Sequence, residues 1–262
     1  MINAHKFTEK LQAGQTCLGT CIGLSDPQVA EALGSKVDFL WIDLEHSALE
    51  FESVKCHLMA LKGSDCAALV RVPWNDLVPI KRVLDIGADG IIVPMIRTAE
   101  DVRLAVSASR YPPEGIRGFG PLRPSDYGRI GAQEFCQHSN DNIITIVQIE
   151  NADAVRNIDE ILAVPGLSSI AFGPNDLANS MGYRGQPGHP EVVKTMEKVI
   201  GRAQQAGIPV GISTGSNVDE LCAWVDRGIQ WLATSGDVML MVEALIRVTS
   251  EVSKHALETK GV

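Results

Sequence analysis

The chain has 262 residues, 45% hydrophobic and 21% charged, which is enough to bury one large α/β core. Its formal charge is −9 and no block of Lys or Arg occurs, which argues against a nucleic-acid partner or an anionic membrane surface. The opening MINAHKFTEKLQAG has no apolar signal core and no run of about 18 apolar residues follows, so neither a leader nor a membrane span is expected. The six cysteines lie mostly in apolar segments without metal-type spacing, and read as reduced core thiols of a cytoplasmic protein.

In chain order, a helical pattern at 5–13 leads into a β-branched run at 16–22. Further strand-like runs follow at 39–43, 68–72, 90–94, 143–150, 168–172, 209–213 and 231–235. Between them stand amphipathic segments such as FESVKCHLMALKG, DLVPIKRVLDIG, TAEDVRLAVSASR, ADAVRNIDEILA and NVDELCAWVDRG. A last helix is predicted over roughly 237–257. Gly87, Gly207 and Gly228 each fall where a helix must stop before the next strand. Eight such alternations without a linker predict a single (β/α)8 TIM barrel over 1–262. A doubly wound sheet is the alternative, but GTCIGLSDP is too loose to be its glycine-rich turn.

A barrel keeps its chemistry at the C-terminal ends of its strands. Those ends carry Asp43, Glu45 and His46 after the second strand, Arg71 on the third, Gln148 and Glu150 on the fifth, and Asp176 after the sixth. Glu150 and Asp176 come from neighbouring strands, so their carboxylates could converge and repel, or bind a divalent cation. Two carboxylates completed by water suit Mg2+ or Mn2+. Glu150 could equally cap the next helix or pair with an arginine. Arg71 reads either as a structural ion pair or as a planar cation facing a ligand carboxylate or enolate. His46, flanked by Asp43 and Glu45 and within reach of Asp85, is a workable general base. No lysine ends a strand, so a Schiff-base aldolase lacks its nucleophile. The loops STGSN and TSGDV after the last two strands leave a phosphate-substrate barrel open as another reading.

The blocks FLWIDLEHSALE, VRVPWNDLVPIKRVLDIGADGIIVPMIRTAEDV, RYPPEGIRGFGP, VQIENADAVRNIDEILAVPGLSSIAFGPNDLANSMGY and TSGDVMLM, in that order, resemble the HpcH/HpaI family of metal-dependent class II pyruvate aldolases. The resemblance implies a phosphoenolpyruvate/pyruvate-type barrel that reversibly cleaves a 4-hydroxy-2-oxo acid, either a hydroxy-oxo diacid or a 2-keto-3-deoxy sugar acid, into pyruvate and an aldehyde. It implies Glu150 and Asp176 as ligands of Mg2+, Mn2+ or Co2+, and Arg71 as the pyruvate and enolate contact. It further implies His46 as base with Asp85 as its carboxylate partner, Asp43 as an organiser of water, and Gln148, Gly173, Pro174 and Asn175 as substrate-side residues. Glu45 is expected to point away from the site. A homo-oligomer, commonly a hexamer or trimer of dimers exchanging the last helix, is also implied. Asn175 stands where an alanine is frequent, and GFGPLRPSDYG and STGSN depart from the family pattern, so the aldehyde half is open. RGFGP is similar to relatives that decarboxylate oxaloacetate, which gives a second reading on the same enolate site; a non-catalytic oxo-acid-binding barrel is a third.

Overall fold

A computed structural model describes residues 4–260. The strands β1 (Cys17–Ile22), β2 (Phe39–Asp43), β3 (Ala67–Arg71), β4 (Gly90–Val93), β5 (Ile144–Ile149), β6 (Ser169–Phe172), β7 (Val210–Thr214) and β8 (Trp231–Gly236) are all parallel. They close in sequential order, β8 returning to β1. This is the expected TIM barrel. The strands read as almost continuous apolar runs because helices cover their outer faces while side chains fill the axis.

The helices are α1 (His5–Gln12), α2 (Pro27–Gly34), α3 (Phe51–Ala60), α4 (Leu77–Asp85), α5 (Ala99–Ser109), α6 (Ala132–Asn142), α7 (Ala152–Arg156), α8 (Ile158–Leu162), α9 (Pro174–Ser180), α10 (Pro190–Ala206), α11 (Val218–Asp226) and α12 (Asp237–Lys260). Their starts follow local chemistry. Asp26, Asp76 and Asn217 each accept a backbone N–H of the first turn, and Thr98 with Asp101 forms a reciprocal capping box. Gly87, Gly207 and Gly228 adopt φ of 101°, 70° and 99°, ending their helices as their positions predict. Three features differ from expectation. The 152–163 segment breaks at Asn157 into α7 and α8, a short α9 follows β6, and the polar stretch 132–142 is helical, burying only Phe135 and Ser139.

Alternate residues of each strand point into the barrel. The lower axis is filled by Cys17, Phe39, Trp41, Leu69, Ile92, Ile144, Ile146, Ala171, Trp231 and Ala233. Helix α1 plugs the N-terminal rim, with Phe7 edge-on to Phe39 at 5.5 Å and to Trp231 at 6.2 Å. Trp231 spans the axis and donates its indole N–H to Ser169 Oγ at 2.9 Å. Glycine at 211 makes this possible, because a Cβ there would fall inside the Trp231 ring. Helix α12 behaves differently. Its residues are exposed from Met241 to Thr259, including Met241, Val242, Leu245, Ile246 and Val252.

Gly211→Ala forces the indole or β7 to move, an overpacking cost of about 1–3 kcal/mol. Denaturant unfolding is expected to show that loss, whereas Gly201→Ala, where the added methyl meets open space on α10, should be neutral or stabilising.

Candidate active site

The inward alternation continues upward past the apolar layers. On β2 it runs Phe39, Trp41, Asp43, and on β3 Ala67, Leu69, Arg71, with Asp43 and Arg71 paired in register. On β5 it runs Ile144, Ile146, Gln148, and Glu150 follows at the strand end. The same geometry that builds the core therefore delivers a polar layer at the C-terminal rim.

Arg71 is its fixed point. The guanidinium lies over the Trp41 ring, 5.4 Å from its centroid. Its Nε donates to Asp43 Oδ1 at 2.8 Å and its Nη2 to Asp43 Oδ2 at 2.6 Å, a bidentate pair. Its Nη1 stands 2.9 Å from Glu45 Oε2 and 3.5 Å from Gln148 Oε1. Burial alone would push the Asp43 carboxyl up, but the Arg71 hydrogen bonds and charge outweigh it and hold it below the usual carboxylate range. Asp43 also shapes the following turn. Its Oδ1 accepts the backbone N–H of Glu45 at 2.9 Å and of His46 at 3.4 Å, and its carbonyl accepts the Ser47 hydroxyl.

Contrary to expectation, Glu45 does not point away. The Asp43 turn aims its side chain back at Arg71, leaving it 13% exposed. Burial first, then Asp43 and Asp176 against the relief from Arg71, push its carboxyl up to about 7. Glu150 is 3% exposed, accepting the Met95 N–H at 2.6 Å and a Gln148 side-chain N–H at 2.9 Å. Burial, and then the charges of Glu45 and Asp176, raise it to about 7 as well. Met95 offers its N–H from a left-handed conformation, φ 58°. Gly173 lies against this carboxylate: a Cβ there would stand 2.5 Å from Glu150 Oε2. Pro174, Asn175 and Asp176 form the first turn of α9 beside it, with Asn175 and Asp176 exposed.

The structure thus brings Asp43, Glu45, Arg71, Gln148, Glu150 and Gly173 together. His46 is at the same rim but 62% exposed, its Nε2 3.7 Å from Glu45 Oε2. It does not bring Asp85 there. Asp85 ends α4, the helix that returns the chain to the start of β4, and so lies at the opposite rim, where it accepts from Arg117 Nη2 at 2.8 Å. Within one chain the His46–Asp85 pair does not form. A cleft of about 780 Å3 also opens at that opposite rim between α1 and the β5–β6 region, and none of the expected site residues lines it.

The donor set fits a hard divalent cation. Arg71 pairs with Asp43 and Glu45, its charge also reaches Glu150, and the charge of Asp176 acts on both glutamates, whose carboxyls are held up near 7 by burial and mutual repulsion. Among the described residues no group of three or more His, Cys, Asp or Glu side chains is placed to hold a metal. Glu150 and Asp176 would therefore be completed by water and substrate, the oxygen coordination Mg2+ and Mn2+ accept. A phosphate fits less well. The backbone N–H groups of Gly23 and Leu24 at the β1 end both donate to Asp237 Oδ2 at 3.0 Å, so an anion there would displace a buried carboxylate.

The model of the HpcH/HpaI aldolase/citrate lyase family matches residues 21–244. The chain belongs to this family. It is 36% identical over 259 residues, 98% of each chain, to the 4-hydroxy-2-oxo-heptane-1,7-dioate aldolase of Shigella sonnei (strain Ss046). It is also 36% identical over 248 residues, 92% of this chain and 96% of the relative, to the 2-dehydro-3,6-dideoxy-6-sulfogluconate aldolase of Pseudomonas putida. The crystal structure of an HpcH/HpaI aldolase from Desulfitobacterium hafniense DCB-2 superposes with a TM-score of 0.86 at 36% identity, covering 95% of this chain and 96% of that one. As a member of the HpcH/HpaI family the protein is a carbon–carbon lyase, and the family's mechanism depends on a divalent metal.

Folding raises Glu45 and Glu150 from 4.5 to about 7, so the metal-free folded state holds protons that the unfolded chain releases. That part of its stability is present below 4.5 and is lost as pH rises through 7. Melting of chelator-treated protein should show the decline, and Glu150→Gln should flatten it. Mn2+ should raise the melting temperature more at about pH 8 than at about pH 5, where protons compete with it. An equal metal response at both would remove Glu150 from the cation site.

Proposed function

We propose that the protein cleaves a 4-hydroxy-2-oxo acid to pyruvate and an aldehyde, reversibly, with a divalent cation held by Glu150 and Asp176. The observation that carries this reading is Arg71, fixed by Asp43 and Trp41 with its Nη1 edge turned toward Gln148 and Glu45, beside a buried Glu150. The bound cation would act as a Lewis acid on the oxo-acid. Arg71 binds the oxo-acid carboxylate and faces the oxygen on which charge develops. Gln148 lines the pyruvyl half, and Gly173, Pro174 and Asn175 border the substrate. His46 takes the proton of the C4 hydroxyl. The C3–C4 pair then becomes the C2–C3 double bond, the C2 carbonyl pair moves onto its oxygen, and the aldehyde leaves. Protonation of the enolate at C3 yields pyruvate.

Asp85 completes His46 in this reading only from a second chain, because its own barrel holds it at the far rim. That agrees with a homo-oligomer in which α12, exposed and rich in apolar residues, is exchanged or covered between copies. All six cysteines are free thiols, which fits the cytoplasmic location we propose, and among the described residues no helix is long and apolar enough to cross a membrane. A second reading, oxaloacetate decarboxylation, is favoured by the exposure of His46 and its lack of Asp85. Loss of carbon dioxide creates the same enolate without a base.

Pyruvate incubated in D2O with Mn2+ should exchange its methyl protons, and chelator should stop the exchange. Absence of exchange would favour the decarboxylase. Glu150→Ala and Asp176→Ala should abolish metal-dependent turnover while the fold persists; full activity in either would remove the cation assignment. Arg71→Lys should lower kcat by about 10²–10³, because a point charge cannot replace the fork. The acceptor is to be sought with 4-hydroxy-2-oxo diacids, including the heptanedioate of the first relative, and with 2-keto-3-deoxy sugar acids.

A further inference from the structure

Asp85 is an acid in an unfavourable place. It is the last residue of α4, where the helix dipole disfavours a carboxylate. Arg117, on the loop between α5 and α6, offsets this: its Nη2 donates to Asp85 Oδ1 at 2.8 Å and its Nη1 to Ser139 Oγ at 3.3 Å. The guanidinium lies over the Tyr111 ring, 4.5 Å from its centroid. The Arg117 side chain is only 1% exposed, and its buried Nε has no hydrogen-bond partner. Much of its donor capacity is therefore desolvated and unused. An apolar side chain on Tyr111 would serve stability as well, so packing alone does not account for an arginine here.

What the arginine does supply is a direction. With Oδ1 held from the buried side, the carboxylate is fixed in rotation, and Oδ2 accepts no hydrogen bond from the described residues. The Asp85 side chain is 20% exposed. Gly120 keeps the space beside Oδ2 clear, since a Cβ there would stand 3.4 Å from that oxygen. Phe119 and Leu122 of the same loop are exposed apolar residues, suited to another protein surface. We propose that Arg117 is a positioning residue, which grips Asp85 by Oδ1 so that Oδ2 is presented to the His46 imidazole of a second copy of this chain. The histidine that takes the C4 hydroxyl proton is then oriented by an acid whose own orientation is set inside the neighbouring barrel. Each chain would thus supply a base to its own rim and a preset acceptor to another's.

This inference rests on the aldol-cleavage reading with Asp85 supplied by a second chain, and the test separates the two. Wild type, Asp85→Asn, Arg117→Met and the double variant, all loaded with Mn2+, are compared in melting temperature and in cleavage of the 4-hydroxy-2-oxo acid that wild type accepts. Methionine packs on Tyr111 without charge, and the part-exposed Asp85 can hydrate, so Arg117→Met should melt within a few degrees of wild type. Its kcat should nonetheless fall about tenfold or more with KM little changed, a share of the ~10²–10⁴ that a positioned base contributes. The double variant should be no slower than Asp85→Asn, because Arg117 acts only through that carboxylate. If Arg117→Met folds poorly, Arg117→Lys, which keeps the charge and loses the fork, should show a smaller loss of the same kind. Subunit mixing adds a readout that a merely structural arginine would not move. Arg117→Met chains keep His46, and His46→Ala chains keep Arg117 and Asp85, so the two refolded together should cleave faster than either refolded alone. Mixed chains no faster than their separate components would overturn the proposal. So would wild-type kcat in a folded Arg117 variant when Asp85→Asn is slow, and that result would leave the aldolase reading standing. Full activity in Asp85→Asn would remove the second-chain Asp85 from the reading, and this inference with it.

Discussion

Trp231 crosses the barrel axis with Phe39 edge-on at 5.4 Å and Trp41 at 5.9 Å, and the space it takes is space that Gly211 leaves. Everything above it inherits this level. With the indole in place the interior is filled to the height of Trp41, and the next inward residue of β2 and of β3 must lie at the rim. Those residues are Asp43 and Arg71, paired in register, with the guanidinium seated over Trp41. A loosened lower layer would let the cation sink. The position of the site is therefore a packing consequence before it is an electrostatic one.

The electrostatics then follow from counting charges around a single arginine. Asp43 absorbs two of its hydrogen-bond directions, and that pair is buried and bidentate, the geometry in which an ion pair offsets its desolvation. Glu45, Glu150 and Asp176 remain in excess. Such a site repels the anionic oxo-acid it is meant to receive unless protons or a cation reduce the charge. Protonation of Glu150 would spoil it as the ligand proposed for it, whereas a divalent ion would neutralise it and add a positive centre for the substrate. In the proposed function the acid-rich rim and the arginine would thus be one device: the carboxylates would recruit a cation, and cation and guanidinium together would hold an acid that neither would hold as well alone.

Much of this was legible in the sequence. The eight strands and their order follow from apolar runs broken by helical periods, and Asp43, Arg71, Gln148 and Glu150 follow from where those runs end. Alternation stops being readable where the strand stops. Glu45 lies two residues beyond Asp43, in a turn whose direction is set by Asp43 Oδ1 accepting two backbone N–H groups, and no periodicity encodes that. Asp85 could have been placed correctly. A residue ending the helix between β3 and β4 belongs to the opposite rim by topology, and the resemblance that paired it with His46 carries no information about which chain supplies it. Helix α6 escaped because a surface helix burying only Phe135 and Ser139 has no apolar stripe to show.

Two parts of the chain are physically unfinished by themselves. Helix α12 holds Leu245 at 63%, Ile246 at 58% and Val252 at 63% exposure along a stretch exposed from Met241 to Thr259, an apolar surface that a lone chain in water has little reason to keep open. His46, at the C-terminal rim from which α12 departs, is 62% exposed and stands beside one carboxylate that Arg71 already claims. A second copy laid over the rim would treat both conditions at once, burying apolar helix and drying the imidazole. Drying matters more than contact there. A histidine in bulk water shares its lone pair with solvent, while one enclosed in an interface has only the substrate hydroxyl to accept from. In the proposed oligomer the energy that closes the interface would therefore also complete the base, so that assembly and cleavage answer to the same surface.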